Sequence, residues 1–246
     1  MEWSDEAIVL TVRRHGESAA IVSLLTHAHG RHAGLVRGGM SRRMRGFLQP
    51  GNGVSANWRA RLEEHLGTLT VEPMISRAAL YDQPGPLAAL NAATAMVEAA
   101  LPERAPHPEL YFLLAELLSD LDGPGWAEAY IRWELRLLAD LGFGLDLESC
   151  AATGGNDGLA WVSPRSGRAV SLSAGEPWRD KLLPLPPFLT PQGGTPGIGE
   201  LEEGLRLTGW FLERHVFAPQ NARTPDARER LVGYLRGLDA GHRDIV

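Results

Sequence analysis

The chain has 246 residues, 44% of them hydrophobic, with a formal net charge of −6 and one cysteine. That total excludes a protein that coats nucleic acid over its whole surface, because a uniformly basic exterior would show in the sum. A single cysteine excludes an intrachain disulfide and points to a reducing compartment, and an acidic start without a long apolar stretch reads as soluble and cytoplasmic, with no membrane partner.

The length predicts two domains, residues 1–80 and 81–246, and charge divides between them. Residues 1–80 hold ten arginines against seven acids, a balance of +3 that leaves −9 for the remainder. Residues 31–61 hold seven arginines and no acid, a positive field that sequence neighbours do not cancel. A polyanion is the natural partner of such a segment.

Along the chain, AIVLTVR, AAIVSLLT and RHAGLVRG are short β-branched runs separated by turn-forming HGES and HAHG, which predicts a three-strand meander. His27, His29 and His32 at the second turn invite a metal or proton-shuttle reading. With no carboxylate nearby in sequence, a hydrated turn is the better account.

Next comes RGGMSRRMRGFLQP, residues 37–50, which reads as a mobile, positively charged loop. Its charges can protect a sheet edge from aggregation. They can equally bind phosphate, since arginine does so bidentately and glycine lets backbone approach a strand closely. NGVSANWRAR alternates around Val54, Ala56 and Trp58, and LGTLTVEPMIS supplies a fifth strand that Pro73 interrupts near its end. Five short strands are the content of an OB-fold barrel, whose face and loops form a groove for single strands. Arg37, Arg42, Arg43, Arg45, Arg59 and Arg61 are therefore the candidate DNA contacts. Glu63 and Glu64 follow them, and without a partner array they read as a solvated strand end.

Past Arg77, leucine and alanine at helical spacing take over. PLAALNAATAMVEAALPE, PELYFLLAELLSDLDG and WAEAYIRWELRLLADLGFG predict three helices bounded by Pro86, Pro102, Gly123 and Gly142. An irregular stretch rich in Gly, Ser and Pro covers about 145–191. IGELEEGLRLTGWFLERHVF and TPDARERLVGYLRGL then predict two more helices. GTPGIGEL has no strand before it and reads as a linker, and no GxxxxGK[ST] motif supports an ATP-driven motor. Trp126, Tyr130, Trp133, Leu137 and Phe143 fall at the spacing of a core stripe.

These signatures resemble the RecO family: a five-strand N-terminal unit, basic glycine-rich residues running into GFLQPGNGV, a helical region, an insertion of the form CAATG…VSPRSGRAVS, and a terminal LERHVFAPQNARTPDARERL. The resemblance covers nearly the whole chain. It implies an α+β protein in which an OB-fold precedes an α-helical domain with a degenerate zinc-finger-like insertion. It also implies binding of single- and double-stranded DNA, strand annealing, and action with RecR and single-stranded DNA-binding protein to load RecA, in association with the nucleoid and without enzymatic activity.

Many members of that family carry four zinc-binding cysteines as two C-x-x-C pairs in the insertion. Here Leu147 stands three residues before Cys150, and Ser171 and Ala174 fall where the second pair would be, so no zinc or other cofactor is expected. Packing of Leu159, Trp161 and Val162 is expected to hold the insertion, with Cys150 as a small buried residue. The resemblance also implies that the helical domain takes the acidic, aromatic-ended tail of single-stranded DNA-binding protein. Arg132, Arg136, Arg206 and Arg214 lie on helices that also carry Trp133, Leu137, Leu207 and Phe211, and are the candidates to receive it. The rival reading, a metal-dependent nuclease or hydrolase with a basic groove, needs clustered acids, and residues 31–61 contain none.

Overall fold

The structure is a computed structural model and describes residues 1–62 and 64–243. Five strands, β1 (Glu2–His15), β2 (Ala19–Thr26), β3 (Gly30–Val36), β4 (Gly53–Arg59) and β5 (Thr68–Ile75), close in the order β1-β2-β3-β5-β4. All pairings are antiparallel except β3 with β5. Long β1 serves both sides, pairing with β4 through its first half and with β2 through its second. This is the OB-fold arrangement expected from the sequence. Alternation explains it: Ala7, Val9, Val22, Leu24, Val54, Ala56, Trp58, Leu69 and Val71 all point into one buried core. Pro73 does not end β5. It pairs with Val54 beside a register shift between Gly53 and Val54, a position where its missing N–H is tolerated.

The stretch expected as a mobile loop is not one. Residues 42–47 form helix α1 (Arg42–Phe47), whose N-cap Ser41 accepts from the Met44 N–H at 3.4 Å. A six-residue helix cannot hold itself. Buried Leu48 and partly buried Met40, Met44 and Phe47 pack on the barrel core, while Asn52 Nδ2 donates to Phe47 O at 3.0 Å and Asn52 Oδ1 accepts from Arg77 N at 2.8 Å. The GFLQPGNG run is thus the anchor of α1.

Three helices follow, α2 (Pro84–Ala100), α3 (Pro108–Asp120) and α4 (Trp126–Asp140), close to the expected spans. The insertion is a small sheet of β6 (Leu159–Val162), β7 (Ala169–Ser171) and β8 (Leu183–Pro184), in the order β7-β6-β8, with a short α5 (Leu172–Gly175). Helix α6 (Ile198–Phe211) runs into a π-helical turn, Leu212–Phe217, and α7 (Asp226–Arg243) closes the described chain.

The chain divides into two compact units, residues 1–126 with 225–228, and 127–224 with 229 onward. The sheet-to-helix change lies near residue 80, whereas α2 and α3 pack with the barrel. In the first unit Ser23 Oγ donates to Glu98 of α2 at 2.5 Å, and Arg31 binds Glu98 at 3.2 Å and Leu101 O at 2.9 Å. In the second, α4 and α6 meet at a buried polar node where Glu134 accepts from Tyr130 at 2.8 Å and from Thr208 at 2.5 Å. Among the described residues no helix is long and apolar enough to cross a membrane.

Candidate nucleic-acid interface

The strand registers place the basic residues. Arg13 pairs with Ile21, Ile21 with Leu35, Leu35 with Thr68, and Thr68 with Arg59. Directly paired residues point to the same side of a sheet, and none of these five is buried, so they form one outward row with a member on every strand of the closed barrel. The row follows the barrel wall, and four strand spacings give it a length of about 19 Å along that curve. Its half-buried centre of Ile21, Leu35 and Thr68 lies between two exposed arginines.

Arg37 stands two residues past Leu35, and Arg61 two past Arg59; both are exposed. Arg42, Arg43 and Arg45 are exposed on α1, while Met44 and Phe47 turn toward the barrel. The turn into α1 is tied to the β1–β2 connection, where Met40 N–H donates to Ser18 O at 3.0 Å. Arg14 braces that connection by donating to Gly16 O and Glu17 O at 3.1 and 3.3 Å.

Among the described residues, Arg13, Arg37, Arg42, Arg43, Arg45 and Arg61 form no ion pair, and Arg59 has only an exposed contact of 3.9 Å with Glu2. Their charge is left to act on solvent or a ligand. Arg31, in the same acid-free segment of sequence, is different because Glu98 and Glu103 at 3.2 and 3.5 Å neutralise it. Arg13 is the candidate that sequence reasoning missed, because only the register shows that it shares a row with Arg59. Glu63 lies outside the described residues.

The three histidines do not form a hydrated tip. His27 packs on Tyr111 and Phe112 of α3. His29 stacks on Trp3 with centroids 4.5 Å apart and meets Asp5 Oδ2 at 3.1 Å, a carboxylate brought from β1 by the fold. His32 is buried edge-on to Trp3 and Trp58. Burial, reinforced by Arg104, pushes its pKa down to about 4.

The four arginines expected to receive a peptide are not equivalent. Arg132 is engaged, with Nε on Glu128 at 2.8 Å and a second nitrogen donating to Phe188 O at 2.5 Å. Arg136 and Arg206 are exposed on α4 and α6. Arg214 lies over the Trp210 ring at 5.3 Å, in a π-helical turn that also brings His215 against Phe143 and Phe211. Phe143 is 39% exposed, so it is not the core residue that its spacing predicted, although Tyr130, Trp133 and Leu137 are. The cause is local: a Schellman turn, with Gly142 N donating to Ala139 O and Phe143 N to Leu138 O, ends α4 before Phe143.

Cys150 is buried as expected, with Ser171 beside it as the spacing suggested, but Leu147 is not its neighbour. Its sulfur accepts from Ser171 N at 3.2 Å, and its turn closes through Gly154 N to Cys150 O at 2.8 Å, with Gly154 at φ 74°. Thr153, not Leu147, shares this knuckle; Leu147 lines a separate cavity with Leu135 and Ala139. Burial raises the thiol pKa, but hydrogen bonds from Thr153, Ser171 and Ala152 outweigh it and bring the value to about 6. With Cys150, Thr153, Ser171 and Ala174 at the pair positions, the donor set holds one thiolate where tetrahedral zinc takes four strong ligands, and does not fit the metal.

Comparison with known proteins parts the chain at the change from sheet to helix near residue 80. Residues 1–77 match the family model "Recombination protein O N terminal" and residues 83–224 match "Recombination protein O C terminal". The chain is 57% identical over 239 residues to a protein of Rhodospirillum centenum named DNA repair protein RecO, covering 96% of this chain and 95% of that one. Proteins of the same name from Methylobacterium nodulans and Rhodospirillum rubrum are 52% and 51% identical, with 98% and 99% of this chain and 100% of each relative covered.

Proposed function

The chain belongs to the RecO family of DNA repair and recombination mediators, and on that premise we propose that its barrel holds DNA along the Arg13–Arg59 row and the α1 arginines. The observation that carries this reading is a continuous outward row that curves round the barrel wall, with arginines at both ends and a semi-apolar middle. Arginine there screens phosphate while Ile21 and Leu35 lie under the sugars and bases. Arg37, Arg42, Arg43, Arg45 and Arg61 extend the basic surface around that face. With phosphates screened, two complementary strands approach and pair, and no covalent bond need break.

The non-enzymatic reading rests on membership of a family of recombination mediators. In the second unit, Arg214 over Trp210, with Phe143 and His215 alongside, is the face we assign to the acidic, aromatic-ended tail of single-stranded DNA-binding protein, and Arg206 is a further charge on α6. Arg132 instead serves to hold α4 to the 187–189 turn. Partnership with RecR, loading of RecA and a place in the cytoplasm at the nucleoid complete the reading.

The test is to mix the full chain with labelled complementary strands in magnesium. Accelerated formation of full-length duplex is expected. Shortened strands would instead establish the nuclease reading.

A further inference from the structure

One cavity in the first unit is absorbed neither by the basic row nor by the fold. It measures about 390 Å³, and its lining includes Glu2, Trp3, His29, His32, Trp58 and Arg104. Three of its rings form a column: Trp58 stacks on Trp3 at 5.8 Å, and Trp3 on His29 at 4.5 Å, with interplanar angles of 16° and 11°. His32 meets the column edge-on, with centroids 5.0 Å from Trp3 and 4.7 Å from Trp58.

What sets this cavity apart is unused hydrogen-bonding capacity. His32 is 3% exposed, and among the described residues the backbone of His29 is the one polar group that approaches its ring, without reaching good hydrogen-bond geometry at either nitrogen. Arg104 Nε is buried and likewise unpaired, although its terminal nitrogen donates to His65 O at 3.1 Å. Buried donors and acceptors without partners are unfavourable, and a ligand that satisfies them recovers part of that cost.

The chemistry of the lining selects the ligand class. Aromatic walls favour a flat ring. Neutral His32 offers one donor and one acceptor, and Arg104 Nε a second donor, a pattern met by a ring that carries both kinds of group on its edge. Glu2 at the mouth and Asp5 behind His29 disfavour an anion inside. The position selects the source: Trp3 pairs with Trp58, and the neighbouring pair Glu2 and Arg59 ends the basic row. Trp3 and Trp58 point to the inner side of the wall and Arg59 to the outer, and Glu2, which lines the cavity and pairs with Arg59, joins the two.

Resting on the reading that DNA follows that row, we propose that this cavity takes one unstacked nucleobase of the bound strand, walled by the Trp3 column and hydrogen-bonded by His32 and Arg104. One base held out of its stack fixes the strand's register on the barrel while the phosphates alongside stay screened.

The test compares the full chain with its Trp3→Ala and His32→Phe variants on two oligomers of equal length, one ordinary and one made wholly of abasic nucleotides. Trp3 has Trp58 on one face and His29 on the other, so a base meets the edge of the column; Trp3→Ala removes its central ring and should weaken the ordinary oligomer about fivefold, the low end for an aromatic–base contact, and leave the abasic oligomer and the salt slope unchanged. His32→Phe keeps a ring against Trp3 and Trp58, removes both nitrogens, and should weaken the ordinary oligomer about threefold or more. Equal losses on both oligomers, or no loss on either, would overturn the base pocket while leaving the basic row intact. Failure of the unaltered chain to bind either oligomer would instead overturn the DNA reading and the pocket with it.

Discussion

Replacing Arg42, Arg43 and Arg45 together with alanine removes three charges from α1 without touching what holds the helix. All three are exposed and make no ion pair among the described residues, while anchorage comes from Met44, Phe47 and Leu48. Each phosphate neutralised on a single strand contributes about 0.7 to the slope of log affinity against log salt. Three contacts therefore account for a slope of about 2. Between 50 and 200 mM salt the unaltered chain should lose about 20-fold more affinity than the triple variant does. Fluorescence anisotropy with a labelled single strand, repeated across that range, measures both slopes. Arg31→Ala is the control: its charge is spent on Glu98 and Glu103, so it should lower stability and leave the slope alone. A triple variant with an unchanged slope would refute the placement of DNA at α1.

Four further outcomes follow from particular contacts. Thr208→Val leaves buried Glu134 short of a hydroxyl that now donates at 2.5 Å, and should cost about 1.5–3 kcal/mol, read as a lower thermal midpoint that Thr208→Ser largely restores. Gly30 has φ 69° and its missing Cβ would strike Ala105 O, so Gly30→Ala should destabilise by more than the about 1–2 kcal/mol of the left-handed backbone alone, and loosen residues 101–107 in hydrogen exchange. His32 stays neutral in the fold down to about pH 4 while the unfolded chain takes up its proton near 6.5. Stability is then lost as pH falls through that window, by up to about 3 kcal/mol, and His32→Phe should flatten the fall in melting temperature there. Finally, protein prepared without added zinc should carry less than one zinc per chain by elemental analysis and melt unchanged in chelator, whereas stoichiometric zinc would contradict the donor set at Cys150, Thr153, Ser171 and Ala174.

The barrel was legible because a period-two pattern survives in single strands: Val54, Ala56 and Trp58 announce the buried side of β4 without reference to any other strand. The helices were legible for the same reason at their own period. Helix α1 was not. Six residues with a glycine and three arginines carry no amphipathic signal, and what makes them helical is contact with a barrel built from distant sequence. The arginine segment was visible as charge, yet which arginines share a face depends on cross-strand register, and so Arg13 was passed over. Asp5 beside His29 has the same cause, the partners being 24 positions apart in sequence. At the insertion, spacing alone allows Cys150 to pair with position 147 or with 153, and only the knuckle turn at Gly154 decides between them. Phe143 kept the helical spacing beyond the residue where the helix stops.

The central claim is that DNA lies on the barrel along the Arg13–Ile21–Leu35–Thr68–Arg59 row and around α1. Photocrosslinking of a single strand bearing photoactivatable bases to the full chain, followed by mass-spectrometric mapping of the attached peptides, tests it most directly. The account predicts adducts within residues 1–21, 35–47 and 58–69. Adducts confined to residues 127–224, with none on the barrel, would contradict it.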